Sequence, residues 1–179
     1  MNQTIISKKI VAVTGHRPHR FCTGYSIDTF NKLYQIAFDW LSTNSVDYIN
    51  QGGAIGTDSA FGLAALNLSI PYTVAIPFKG QESRWYPKDK PIYYGLLEKA
   101  NKVIYVDELP EYTVKGITEA NKSGYGIIAA KMQQRNMWLM DNCTEVVTLW
   151  DGVKKGGTWN AIRYAQSKGL HITNLWNKF

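Results

Sequence analysis

Cysteine is nearly absent from this chain. Cys22 and Cys143 are the only two among 179 residues, too few for a disulfide framework, and they read as reduced thiols of an intracellular protein. Long apolar runs are missing as well. Stretches such as 10–13 and 146–149 have strand length, far below the ~20 residues that span a bilayer. The polar opening, residues 1–9, leads into no secretory apolar region. These absences point to a soluble cytoplasmic protein without a membrane partner. Histidine is scarce, with three residues, none at ligand spacing from a cysteine or carboxylate. No metal and no other cofactor is therefore expected. Nor is positive charge gathered into a tract. The net charge is +6, but the lysines are scattered in pairs such as Lys8 with Lys9 and Lys154 with Lys155. That pattern suits a basic site for phosphate and leaves nucleic acid as a second candidate partner.

What is present fits one globular unit over 1–179. Hydrophobic residues make up 45% and charged residues 19%, too apolar for disorder. A chain of this length buries roughly 70% of its unfolded surface and needs no cross-link to stand. Aromatic residues reach 13%, which would suit a pocket lining or a subunit interface, and a homo-oligomer is the expected assembly.

Strand and helix patterns alternate along the chain. Strands are expected at 10–14, 47–50, 72–77, 102–107, 145–150 and 171–175. Helices are expected at about 28–42, from about 58, at 92–100, 126–142 and 158–168. Asp28 is placed as the first helix's N-cap, and 78–91 as an irregular polar stretch. Residues 108–125 show no period and are long for a plain loop, which points to a lid or a subunit contact. Alternating strands and helices argue for an α/β fold, a Rossmann-like three-layer αβα sandwich with a mainly parallel sheet.

In such sheets ligands bind beyond the carboxyl ends of the strands, and three turns there have unusual composition. The first joins Thr14, Gly15, His16, Arg17 and Pro18. Gly15 permits close backbone approach, and Arg17 suits a phosphate or carboxylate; alternatively, the turn simply carries two solvated side chains. The second runs from Gly52 and Gly53 through Gly56 and Thr57 to Asp58. Free amides at a helix start make an anion site, though a purely structural glycine turn is the competing reading. Asp58 would cap the helix, bind a ribose or act as a base. The third, Gly156, Gly157 and Thr158, repeats that logic. Arg135 and Asn136 sit in the helix before the fifth strand, where Asn136 would either bond a neighbouring loop or face the pocket. Arg84 and Trp85 would offer a cation and a stacking ring, or belong to an ordinary surface loop.

In this order the motifs resemble those of the SLOG superfamily, whose branches include the LOG phosphoribohydrolases and the DprA proteins, and the chain looks like a YpsA-like member. The resemblance runs over residues 10–160. It implies a Rossmann-like fold that binds nucleotides or nucleotide-derived small molecules, often as a homo-oligomer. It also implies antiviral sensing or N-glycosidic cleavage as activities. YpsA-like chains occur in phages and prophages, so a viral origin, and then a host cytoplasm, is consistent with it. One departure matters. The phosphoribohydrolase turn carries a glutamate three residues beyond its threonine, whereas here Ala60 and Ala161 occupy those positions. The leading expectation is therefore a binder of an ADP-ribose-type molecule. An N-glycosidase using Asp58 as catalytic carboxylate, with Asp141 as the other nearby acid, and single-strand binding in the DprA manner are the alternatives.

Overall fold

The computed structural model describes residues 8–21, 26–116 and 125–179. The elements follow as β1 (Ile10–Gly15), α1 (Ile27–Thr43), β2 (Tyr48–Gln51), α2 (Thr57–Asn67), β3 (Tyr72–Ile76) and α3 (Lys90–Lys99). They continue with β4 (Lys102–Tyr105), α4 (Tyr125–Asp141), β5 (Glu145–Leu149), α5 (Gly156–Ser167) and β6 (His171–Asn174). The six strands form one sheet in the order β4-β3-β2-β1-β5-β6, and every adjacent pair is parallel.

The chain winds outward from β1 to β4, then crosses back to place β5 against the other side of β1. The order of strands therefore reverses between β1 and β5. At such a point the connections leave in opposite directions and open a crevice at the strand ends.

Strand alternation divides the core into two layers. Val11 and Val13 of β1 face one side, packed with Leu33 and Ala37 of α1, Phe61 and Ala64 of α2, and Leu96 of α3. Ala12 faces the other, with Leu139 of α4 and Ala161 and Ala165 of α5. Three-layer αβα architecture is the result. Every residue of helix α2 from Thr57 to Gly62 is buried.

Several boundaries differ from those read in the sequence. Ser26, not Asp28, caps α1, its Oγ accepting the Thr29 amide at 3.1 Å; Asp28 sits in the first turn, where its charge favours the helix dipole. Helix α3 starts at Lys90 and takes Pro91 into its first turn, where a missing amide hydrogen has no consequence. Residues 117–124 of the expected lid lie outside the described residues. Its opening part is ordered by two 3-10 turns, Val106–Glu108 and Pro110–Tyr112. Tyr112 Oη donates to Asp141 Oδ2 at 2.8 Å, tying that segment to the end of α4. Among the described residues no helix is long and apolar enough to cross a membrane.

Candidate functional site

The parallel pairing of β1 with β5 sets Gly15 beside Leu149, and the His16 amide donates to the Leu149 carbonyl at 3.0 Å. Whatever follows the two strands must therefore meet. A cleft of about 380 Å³ opens there, lined by the β1 turn, Ala54 and Asp58 of the α2 turn, one face of α4, and the start of α5.

The α2 turn does not present its glycine amides to this cleft. Asp58 Oδ2 accepts the Gly52 amide at 3.0 Å and the Ala54 amide at 3.4 Å, while the Gly53 amide donates to Gln51 Oε1. The turn is an anion nest already filled by the protein's own carboxylate. Gly53 faces away, since a Cβ there would meet Tyr93, Val74 and Gln81. Gly56, at φ 102°, packs against the His16 carbonyl and Pro18. Thr57 is buried, with its hydroxyl donating to the His16 carbonyl at 3.0 Å. Gly52, Gly53, Gly56 and Thr57, expected to hold a ligand phosphate, do not line the cleft.

Asp58 is paired with Arg135 of α4, Nη1 to Oδ2 at 3.4 Å, and both side chains are nearly fully buried. Arg135 occupies the space left by the missing side chain of Gly52, for a Cβ there would lie 1.1 Å from its Nη1. Burial pushes the Asp58 carboxyl up, opposed by Arg135 and by the two amides. Burial likewise pulls the Arg135 guanidinium down, opposed by Asp58. Arg135 Nε has no hydrogen-bond partner among the described residues, although a buried donor is normally satisfied. Its neighbour Asn136 lines the cleft and donates from Nδ2 to the Gly157 carbonyl of α5 at 3.3 Å.

The α5 turn is different in kind. Helix α5 begins at Gly156, two residues before the expected start, and Lys155 precedes it without a capping side-chain bond. The amides of its first turn, at Gly156, Gly157 and Thr158, therefore stand at the cleft edge with no side-chain cap. A Cβ at Gly156 or Gly157 would meet nothing within 4 Å, so this wall is open. Four cationic side chains, Arg17, Arg20, Arg135 and Lys155, line the cleft against one carboxylate, Asp58. Arg17 reaches only Met132 Sδ, at 4.0 Å, and has no carboxylate partner among the described residues.

His16 forms the floor, 6% exposed. Its Nε2 lies 2.8 Å from Asp151 Oδ1 and 3.2 Å from the Asp151 amide. The carboxylate contact is the shorter, so a proton on Nε2 would be held by it, whereas an unprotonated Nε2 accepts the Asp151 amide. Nδ1 stands 3.4 Å from the Thr158 hydroxyl, and the edge of Trp176 closes one side. The other Asp151 oxygen pairs with Arg20. Burial pulls the His16 pKa below its ordinary value, against the opposing pull of Asp151. Burial pushes Asp151 up, but the Val153 amide, His16 and Arg20 outweigh it and hold the carboxyl at about 2.

Arg84 is not part of this site. It is exposed on the segment after β3 and does not line the cleft, while Trp85 packs edge-on against Tyr93 at 5.1 Å. Arg20 and Lys155 were not singled out in the sequence, and neither was the stacking of Trp150 on Trp159, 5.5 Å apart beside the α5 turn.

No family model matches the chain. Its fold is similar to that of DNA processing protein A (DprA) from Streptococcus pneumoniae, with a TM-score of 0.57 at 17% identity over 96% of this chain. DprA from Helicobacter pylori, described for its single-stranded DNA binding mode, gives 0.55 at 18% over 92%. The structural-genomics protein TM1055 gives 0.53 at 14% over 92%. The chain spans 53% and 63% of the two DprA chains and 72% of TM1055. Shared architecture is what these likenesses establish. In sequence the chain is 36% identical, over 124 residues, to the uncharacterized SPbeta prophage-derived protein YoqJ of Bacillus subtilis (strain 168), covering 66% of this chain and 69% of that protein. The chain belongs to the family of that prophage-derived protein.

Proposed function

We propose that the cleft binds a nucleotide or nucleotide-derived small molecule of the ADP-ribose type, and that the chain senses or sequesters it as a YpsA-like member of the SLOG superfamily. The observation that carries this reading is the meeting of an uncapped helix start, at Gly156 to Thr158, with four cations in one cleft. Amides at a helix start and a guanidinium fork are complementary to phosphate oxygens. The phosphate sits at the α5 turn, bonded by Arg17 and Lys155. The Asp58 oxygen that carries none of the bonds described above, Oδ1, accepts a ribose hydroxyl. The paired rings of Trp150 and Trp159 give a base a surface to lie on. A volume of about 380 Å³ falls in the range of small-molecule sites, roughly 300–1,000 Å³.

The prophage-derived relative supports a phage setting for this activity. Strand binding, suggested by the DprA likeness, has weaker support, because Arg17, Arg20, Arg135 and Lys155 line a cleft of small-molecule size. N-glycosidic cleavage led by Asp58 is also less favoured, since that carboxylate is held by Arg135 and two amides. Calorimetric titration with ADP-ribose, AMP, NAD and a cyclic dinucleotide tests the reading. Saturable binding of at least one, weakened in Arg17→Met, is expected. No heat from any of them overturns it.

A further inference from the structure

We infer that the cleft is a hydrolytic site as well as a binding site: His16, oriented by Asp151, accepts the proton of a water molecule that attacks a phosphoanhydride of the bound nucleotide. This rests on the preceding reading, that phosphate lies at the start of α5.

The geometry comes from the switch point. Residues following β1 and β5 converge, and His16 Nε2 meets Asp151 Oδ1 at 2.8 Å, while Arg20 fixes the other carboxylate oxygen. With a proton on Nε2 held by the carboxylate, Nδ1 is the unprotonated nitrogen and can accept a proton. Its neighbour is the Thr158 hydroxyl at 3.4 Å, so Nδ1 points at the α5 turn where the phosphate is seated. Such contacts tighten when substrate arrives. A base held by a carboxylate, beside amides able to receive an oxyanion, is the arrangement by which hydrolases activate a nucleophile. A histidine that merely tied two loops together would have no need of a cleft at its second nitrogen.

The surrounding charge selects the bond. Cleavage of an N-glycosidic bond passes through a cation-like sugar and uses carboxylates to stabilise it. Four cationic side chains line this cleft; Arg135 and Arg20 are paired with Asp58 and Asp151, and Arg17 and Lys155 have no carboxylate partner among the described residues, so that route is opposed. Phosphoryl transfer spreads negative charge over the phosphate oxygens, and the same cations favour it. The leaving group decides between ester and anhydride. A phosphate monoester departs as an anion without receiving a proton, so one base suffices.

In the step, the water oxygen forms a bond to phosphorus and its proton passes to His16 Nδ1. The bond from phosphorus to the bridging oxygen breaks, and its electron pair leaves on that oxygen. ADP-ribose and water thus give AMP and ribose 5-phosphate, and the His16 proton returns to solvent as the products depart. His16 is the catalytic base; Asp151 is a positioning residue.

The test follows ADP-ribose by chromatography, with calorimetry of its methylene-bridged, uncleavable analogue in parallel. The wild-type chain is expected to release AMP. His16→Gln is expected to be slower by about 10²- to 10⁴-fold, the usual worth of a general base, with analogue affinity unchanged. Asp151→Asn is expected to move the acid limb of the kcat/KM profile to lower pH, since the carboxylate favours protonated His16. Analogue binding in the wild type without AMP release overturns the hydrolytic inference and leaves the binding reading standing. Release of free adenine, or His16→Gln turning over at the wild-type rate, also overturns it. Absence of any binding removes both.

Discussion

Arg135 fills the space in which a side chain at Gly52 would sit: Nη1 lies 1.1 Å from where the missing Cβ would be. The guanidinium can reach Asp58 only because position 52 is glycine. Gly52→Ala would push it out of its buried pairing. Breaking a buried ion pair typically costs about 3–5 kcal/mol, and the expected loss for this variant lies at the lower end, read as a reduced urea midpoint. A midpoint equal to that of the wild type would show that Arg135 relocates freely.

The Asp58–Arg135 pair should behave as a unit. Asp58→Ala leaves a buried guanidinium and Arg135→Met leaves a buried carboxylate, each expected to cost about 3–5 kcal/mol. The double variant should lose less than the sum of the two by more than about 1 kcal/mol. A double-mutant cycle in urea measures this coupling, and strict additivity would refute it.

Acid stability should fall in two steps. The His16 pKa is lowered from 6.5 by burial, so the unfolded chain takes up a proton first as pH drops below 6.5, and stability declines from there to the lowered value. The groups facing the ring are Asp151, Arg20, His19 and the Thr158 hydroxyl. Asp151 is held at about 2 against an ordinary 3.8, so its contribution is present above 3.8 and is lost as pH falls toward 2. Urea midpoints measured from pH 7.5 down to 3 should show both declines. His16→Gln should abolish the first and shrink the second, since His16 is one of the groups that hold Asp151 down, and an unchanged profile in that variant would rule out the assignment.

Arg17 should matter more for affinity than for stability. Its charge disfavours protonated Arg135 and favours ionised Asp58, two opposed effects, and it has no ion-pair partner among the described residues. Arg17→Met should therefore leave the melting temperature nearly unchanged, while nucleotide affinity drops about 10- to 100-fold, the range of a lost charged hydrogen bond. A destabilised variant with intact affinity would contradict this.

Tyr112 anchors the segment after β4. Removing its hydroxyl in Tyr112→Phe takes one donor from Asp141, which Tyr164 and Lys168 also hold. A loss of about 1 kcal/mol is expected, with faster amide exchange at 106–112; exchange as slow as in the wild type would argue that packing alone holds the turn.

The sheet was readable from its apolar runs, because strands buried on both faces carry them nearly unbroken. The α5 turn was readable as the opening of a helix, which starts at its glycines. The α2 turn looked the same and proved different. Whether its amides await a ligand depends on Asp58 turning back on them, and on Arg135 arriving from a helix 77 positions away. His16 seemed unremarkable because its partner lies 135 residues along the chain; only the register of β1 against β5 joins them. Pro91 was misleading for a local reason, since a proline that ends one helix can equally begin another.

The carboxylate of Asp58 gives the cleft a direction. One wall holds a carboxylate already paired with Arg135 and the opposite wall holds uncapped amides, so under the proposed function a molecule with a charged end and an uncharged end would bind best in one sense. Two ligands of equal size and total charge would then be told apart by which end bears the charge.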